Sequence, residues 1–186
     1  MQPIEINAGA WYLRALRADD RVDDRAALLT GATDAATRRY AGGLVIADLA
    51  ASDAHVRRRA EQWERDEWYA WAVCEPSTGA MVGEVGLRDV DLERERAELT
   101  CWTLPAHRRR GVMVAAVPAV TRWAFTTADL GGLGLHRVQW LHATSNTASA
   151  DLAARCGFTR EGVLRAAAMV DGTREDLVLL SRLATD

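Results

Sequence analysis

The side chains best placed by type and spacing to do chemistry sit between residues 97 and 125, AELTCWTLPAHRRRGVMVAAVPAVTRWAF. Arg108, Arg109, Arg110 and Gly111 form a basic, glycine-containing turn. An apolar, β-prone run over 97–104 precedes them and Pro105 ends it; from 112 to 125 apolar residues recur at helical spacing. A helix N-terminus behind such a turn presents unpaired backbone N–H groups and the positive end of a dipole, which together suit a pyrophosphate. Guanidinium groups beside it add partners for phosphate oxygens. The competing reading is an ordinary strand, turn and helix with a solvated arginine run, because short Gly/Arg patterns are common.

The elements that must hold this turn follow from periodicity. Residues 11–17 alternate as a first strand. Asp19 and Asp20 stand where an N-cap would, ahead of a helix over 21–29 that ends near Gly31. A short helix is expected over 33–40, then a flexible connection through Gly42-Gly43 to residue 51. Ser52 can cap a helix over 53–66, whose run of arginines and carboxylates reads as a solvated face with i,i+4 pairs. Residues 68–74 and 81–90 read as an antiparallel strand pair around a turn at 76–79. A charged turn at 91–96 leads into the central strand and helix. A glycine loop at 130–135, a strand over 136–143 and a helix over 146–156 ended by Gly157 come next. Strands over 158–164 and 177–183 close the chain around Asp171-Gly172. Strands and helices mixed in this order, without repeats or a dividing linker, predict one α/β or α+β domain over 1–186, built on a central twisted sheet.

Composition narrows the function classes. The 186 residues are nearly half hydrophobic (49%) with net charge −3, which fits a soluble globular protein and argues against nonspecific nucleic-acid binding. All 23 basic residues are arginine, and the chain has no lysine. Cys74, Cys101 and Cys156 are widely spaced and odd in number, so no disulfide framework is expected and a reducing cytoplasm is the natural compartment. His55, His107, His136 and His142 lack zinc-ligand spacing, and no metal is expected; His136 and His142, on one apolar strand, read as packing residues. No leader pattern opens the sequence, and its longest strongly apolar run, 112–120, is too short to span a bilayer.

Read in order, the turn Arg108-Arg109-Arg110-Gly111-Val112-Met113 resembles the cofactor motif of the GNAT superfamily, the acetyl-CoA-dependent N-acyltransferases. That pattern is Arg/Gln-x-x-Gly-x-Gly/Ala after a strand and opening a helix, and Met113 stands where Gly or Ala is usual. Residues 146–165, NTASADLAARCGFTREGVLR, resemble Asn-x-x-Ser…Gly-Phe-x-x-Glu-Gly-x-Leu-Arg of the ribosomal-protein N-terminal acetyltransferase (RimJ/RimL-type) branch. Asn146, Ser149, Gly157, Phe158, Glu161, Gly162, Leu164 and Arg165 match in order and without gaps.

The resemblance implies a GNAT fold: a central, twisted, mixed but mostly antiparallel sheet with a splayed central strand pair, flanked by helices. It implies acetyl transfer from acetyl-CoA to a primary amine, either a protein N-terminal α-amine or a small-molecule amine. A CoA-binding module of this fold without turnover is the alternative, and a homodimer is compatible with the family. By resemblance, free backbone groups of Trp102, Thr103 and Leu104 hold the pantetheine arm, and the turn from Arg108 through Val112 and Met113 holds the pyrophosphate. Asn146 orients the pantetheine or adenosine side. Glu98 occupies the central-strand position of a general base, with Glu84 on the adjacent strand in reserve; a carboxylate in a partly dry cleft can take a proton from an ammonium. The plainer reading of Glu98 is a pair with a neighbouring arginine. Ser149 matches the serine that hands a proton to the leaving thiolate, or is a helix-start hydroxyl bonded to backbone. RimL-type enzymes carry a glutamate near the position of Ala168, where this chain reads Ala166-Ala167-Ala168.

Overall fold

Eight strands and five helices carry the turn and its neighbours in the computed structural model, which describes residues 1–41 and 44–186. The strands are β1 (Ile6–Ala8), β2 (Trp11–Arg14), β3 (Trp68–Cys74), β4 (Met81–Asp91), β5 (Arg96–Thr103), β6 (Arg137–Ala143), β7 (Thr159–Val170) and β8 (Thr173–Leu183). They form one sheet in the order β1-β2-β3-β4-β5-β6-β8-β7. Every neighbouring pair is antiparallel except β5 and β6. The helices are α1 (Arg25–Thr33), α2 (Ala35–Tyr40), α3 (Leu49–Glu64), α4 (Val112–Phe125) and α5 (Thr147–Arg155). The expected mixed, mostly antiparallel sheet flanked by helices is the observed architecture.

Each face of the sheet has its own core. On one face α4 and α5 cover Tyr69, Trp71, Val85, Leu87, Leu99, Val138 and Trp140. Trp123 of α4 meets Trp71 edge-on at 5.1 Å between ring centroids, and Trp63 meets Trp71 at 5.0 Å, so these tryptophans are core. The other face packs Ala70, Ala72, Cys74 and Trp102 against α1 and α3 through Leu28, Ala32 and Val56. Small residues there let the helices approach: a Cβ on Gly31 of α1 would sit 2.2 Å from the Trp102 ring.

Several boundaries differ from the sequence reading, each for a local reason. Asp19 spends its carboxylate on the N–H groups of Arg21 and Val22 in a turn, so α1 starts later, behind Asp24. The cap of α3 is Asp48, which accepts from the Ala51 N–H at 2.7 Å, and not Ser52, which lies buried in the first turn. The final strand pair is longer than expected because β-bulges at Arg160/Gly162 and Leu164/Ala168 break its alternation while pairing continues. His136 is exposed instead of packed. The largest correction concerns α3. Its charged run is not a fully solvated face, for His55, Arg59 and Trp63 are all buried. Gly42 and Gly43, assigned to a flexible connection, lie outside the described residues.

Candidate active site

The central strands part where the motif residues gather. β5 and β6 pair only at Arg96↔Arg137, Ala97↔Val138 and Glu98↔Gln139. Beyond that point Leu99 to Thr103 keeps its bonds to β4 while Trp140 to Ala143 keeps its bonds to β8, leaving a gap between them. Alternation decides which backbone groups face the gap. The Leu104 N–H donates to the Val82 carbonyl at 2.8 Å, so Leu104 and Trp102 turn their backbone groups to the β4 side. Thr103 and Cys101 turn theirs to the gap. Of Trp102, Thr103 and Leu104, only Thr103 therefore offers free main chain there, and Cys101 is the residue the sequence reading missed. The register of the β4–β5 hairpin was the signal that could have found it. Burial pushes the Cys101 thiol up to about 12, so its side chain stays protonated.

At the mouth of the gap, Gly111 takes a left-handed conformation (φ 77°) as N-cap of α4 and supplies no side-chain cap. The first N–H groups of the helix, those of Val112 and Met113 among them, are thus left for an outside acceptor. Met113 resolves its departure from the motif by pointing inward. It is buried, and a Cβ on Gly83 would lie 2.8 Å from its methyl group. The three arginines are not equivalent. Arg108 pairs with Asp34, the N-cap of α2, and donates to Thr37 Oγ1 at 3.2 Å. Arg110 reaches His107 Nδ1 at 3.1 Å and Glu75 at 3.9 Å. Arg109, held at φ 62°, makes no hydrogen bond or ion pair among the described residues.

The two candidate carboxylates share the α3 side of the sheet, because Glu84 lies opposite Trp102 and Arg88 opposite Glu98 in the β4–β5 register. Glu98, 5% exposed, sits at the apex of the gap and accepts a 3.0 Å bond from Arg88 Nε. Arg88 also lies 3.6 Å from the exposed Asp89. Glu84 is enclosed. His55 Nε2 lies 3.2 Å from one oxygen and Arg59 Nε 3.3 Å from the other. Arg58 donates to His55 Nδ1 at 3.0 Å, which fixes the His55 proton on Nε2, facing Glu84. Burial would raise the Glu84 carboxyl, but the His55 hydrogen bond and the Arg59 charge outweigh it and hold it below its ordinary value. Arg59 in turn stacks on Trp68, 3.6 Å from the ring centroid.

Across the gap, Asn146 is the N-cap of α5 and accepts from the Ser149 N–H at 3.1 Å. The Ser149 hydroxyl accepts from Trp140 Nε1 at 2.9 Å, so its own proton is free to point elsewhere. His142, two residues beyond Trp140 on the same face of β6, is buried with Nδ1 2.9 Å from the Ala143 carbonyl. The arrangement brings together an uncapped helix end, an unpaired strand edge, a carboxylate at the apex and a hydroxyl on the opposite wall. Chemically it can hold an extended, phosphate-bearing acyl donor and present its carbonyl to a nucleophile. Among the described residues no helix is long and apolar enough to cross a membrane, and no three His, Cys, Asp or Glu side chains gather as a metal site requires.

Comparison with known proteins follows the same lines. Residues 12–159 match the acetyltransferase (GNAT) domain family. The uncharacterized N-acetyltransferase YoaA of Bacillus subtilis (strain 168) is 30% identical over 106 residues, 57% of either chain. The putative ribosomal N-acetyltransferase YdaF of the same organism is 30% identical over 105 residues, 56% of this chain and 55% of that one. The matched stretch thus spans little more than half the length of these relatives. Mycobacterium smegmatis RimJ, solved in complex with CoA-disulfide, superposes with a TM-score of 0.85 at 20% identity, covering 100% of this chain and 91% of RimJ. At that identity the likeness speaks for the fold.

Proposed function

This chain belongs to the GNAT acetyltransferase family, and on that premise we propose that it transfers an acetyl group from acetyl-CoA to a primary amine, the whole of residues 1–186 acting as one cytoplasmic domain. The observation that carries the reading is the gap between β5 and β6 with the uncapped N-terminus of α4 at its mouth. The pyrophosphate would lie on the N–H groups of Val112 and Met113, with Arg109 and, on release from Asp34, Arg108 as counter-charges. Backbone groups of Thr103 and Cys101 would bind the pantetheine arm, and Asn146 would border it from the other wall. Thioester carbon is the electrophile that acetyl-CoA supplies.

The amine approaches from the α3 side, where Glu98 is the proton acceptor we assign. Its tie to Arg88 is compatible with that role. An incoming ammonium can replace the guanidinium on Glu98 while Arg88 passes to Asp89. Glu84 is the weaker candidate, since both its oxygens are occupied and it is held ionised by its neighbours. The Ser149 hydroxyl, which accepts from Trp140, would donate a hydrogen bond to the departing sulfur. The likeness to the putative ribosomal N-acetyltransferase YdaF favours a protein amine as acceptor, with small-molecule amines the alternative. A second copy of the chain on the outer edge of β7, where Leu164 and Met169 are exposed, would account for a homodimer.

The second reading, a CoA-binding module without turnover, draws on the Arg88–Glu98 pair and on Ala168 where RimL-type enzymes carry a glutamate. Free thiol released from acetyl-CoA, measured against peptides of varied N-terminal residue, polyamines, aminoglycosides and amino acids, separates the two. Acceptor-dependent release that falls about 10²-fold or more in Glu98→Gln is expected. Release untouched by that substitution removes Glu98 as the base; CoA binding without release on any acceptor favours the module.

A further inference from the structure

Resting on the acyl-transfer reading above, we propose that His142 is the catalytic residue that delivers a proton to the departing CoA thiolate. Three observations converge on it. First, it lies on β6 three residues beyond the last β5–β6 pair, Glu98↔Gln139, and so on the wall of the gap. Strand alternation puts its side chain with Val138 and Trp140 on the α4 and α5 face, the face that also carries Ser149 and the helix end meant for the pyrophosphate.

Second, its ring is oriented by its own backbone. A carbonyl can only accept, so Nδ1, 2.9 Å from the Ala143 oxygen, carries a proton whether the ring is neutral or charged. Any proton gained or lost is therefore gained or lost at Nε2. Third, Nε2 is unspent. Among the described residues it has no hydrogen-bond partner, yet the enclosed, unpartnered side-chain nitrogens there are Arg14 Nε and Trp68 Nε1 and not this one. With the residue itself only 7% exposed, that leaves Nε2 facing open space from an otherwise buried ring. His55, by contrast, has both nitrogens engaged.

The chemistry needs such a group. A thiol titrates near ~8.5 in general, far below an aliphatic hydroxyl, so a serine that surrendered its proton to a thiolate would become a much stronger base than the one it neutralised. Ser149 can offer the sulfur a hydrogen bond but cannot be the net source of its proton. Imidazole can, because it ordinarily exchanges protons near neutrality. In the step as assigned, the nitrogen–carbon bond forms as the carbon–sulfur bond breaks. Glu98, having passed the ammonium's first proton to solvent, takes the proton the attacking nitrogen sheds, and the sulfur takes one from Nε2 of the doubly protonated His142 ring. Exchange with solvent returns Glu98 and His142 to their starting states, so no further reactant is consumed.

Two measurements test the assignment. In steady-state assays with acetyl-CoA and an active acceptor, His142→Gln should lower kcat by about 10²-fold while the KM for acetyl-CoA changes by less than about twofold, and added imidazole should restore part of the activity of His142→Ala. Nitrogen NMR of the four histidines in the unsubstituted protein provides a readout that needs neither turnover nor a variant. Nδ1 of His142 should carry a proton throughout, with the donor state protonated on Nε2 as well, and its Nε2 resonance should move when CoA is added while that of exposed His136 stays. Wild-type kcat in His142→Gln, or an Nε2 resonance unmoved by saturating CoA, overturns the proposal. An inactive wild type whose His142 still responds to CoA removes the acyl-transfer reading and with it the catalytic role, but supports the placement of the ring at the cofactor.

Discussion

Two buried histidines, one on α3 against β4 and one on β6 beside the gap, are treated in opposite ways. On α3, His55 is wired on both sides: Arg58 donates to Nδ1 and Nε2 donates to Glu84, whose second oxygen takes Arg59. On β6, His142 is anchored by Nδ1 alone. The difference teaches how to sort polar groups in this fold. A saturated network is a structural joint, because each member exists to neutralise another. A half-anchored group whose free atom faces open space, as His142 Nε2 does, keeps that atom available to a partner from outside the chain. By that criterion the joint is Glu84 and the working wall is His142 with Ser149.

The sharpest way to break the comparison is to remove the centre of the joint. Glu84→Ala strands Arg59 and His55 in a buried site, and a loss of about 3–5 kcal/mol in denaturant unfolding is expected. Its acid dependence carries a sign. Glu84 lies below its ordinary value of 4.5 when folded, so its stabilising contribution is complete above that pH and is lost as pH falls through the lower folded value. Glu84→Gln should therefore flatten the stability profile below about pH 4.5, the ordinary carboxylate value, and leave its shape above that pH unchanged. A profile that keeps its acid limb in Glu84→Gln would show that the carboxylate is not held as the geometry indicates.

This joint is also where the sequence was least legible. The bounds of α4 could be read directly because Pro105 and Gly111 punctuate the chain locally and the apolar spacing starts at once. For α3 the same local rules misled. Ser52 is a good capping type, but Asp48 one turn earlier takes the cap, and His55 and Arg59 look solvated until Glu84, more than twenty residues away, is brought beneath them. Charge compensation across elements leaves no local periodicity to detect. The gap itself was foreseeable only through resemblance, since which of Cys101 to Leu104 faces it depends on the register with β4. On β6, alternation assigns His142 to a buried face, as the sequence suggested, yet its free nitrogen follows from one backbone contact that no spacing records.

A smaller perturbation sharpens the other wall. Trp140→Phe removes the indole N–H that fixes the Ser149 hydroxyl but keeps an aromatic ring against Phe158, at 5.2 Å between centroids. One neutral hydrogen bond is worth about 1 kcal/mol, and the smaller ring at this buried position adds a cavity cost, so a total loss of about 1–3 kcal/mol is expected. If Ser149 serves the sulfur, kcat should fall about tenfold, because a misdirected donor loses geometry that the reaction needs. A stability loss with unchanged kcat would class Trp140 and Ser149 with His55 and Glu84, as structure.

The smallest expected effect lies where the helical layer meets the cofactor turn. Asp34 caps α2 through the Thr37 N–H at 2.9 Å and also binds Arg108, whose guanidinium holds its carboxyl below the usual carboxylate range. The pair is partly solvated, with side-chain exposures of 17% for Asp34 and 37% for Arg108, so its contribution to stability is at most about 1 kcal/mol. Asp34→Asn keeps an equally good cap and removes the charge. If Arg108 is divided between Asp34 and a cofactor phosphate, freeing it should tighten CoA binding by about two- to fivefold in isothermal titration, the gain shrinking as salt is raised. An unchanged Kd would mean that Arg108 belongs to the joint between α2 and the turn, and that Arg109, the arginine without a partner among the described residues, carries the phosphate contact alone.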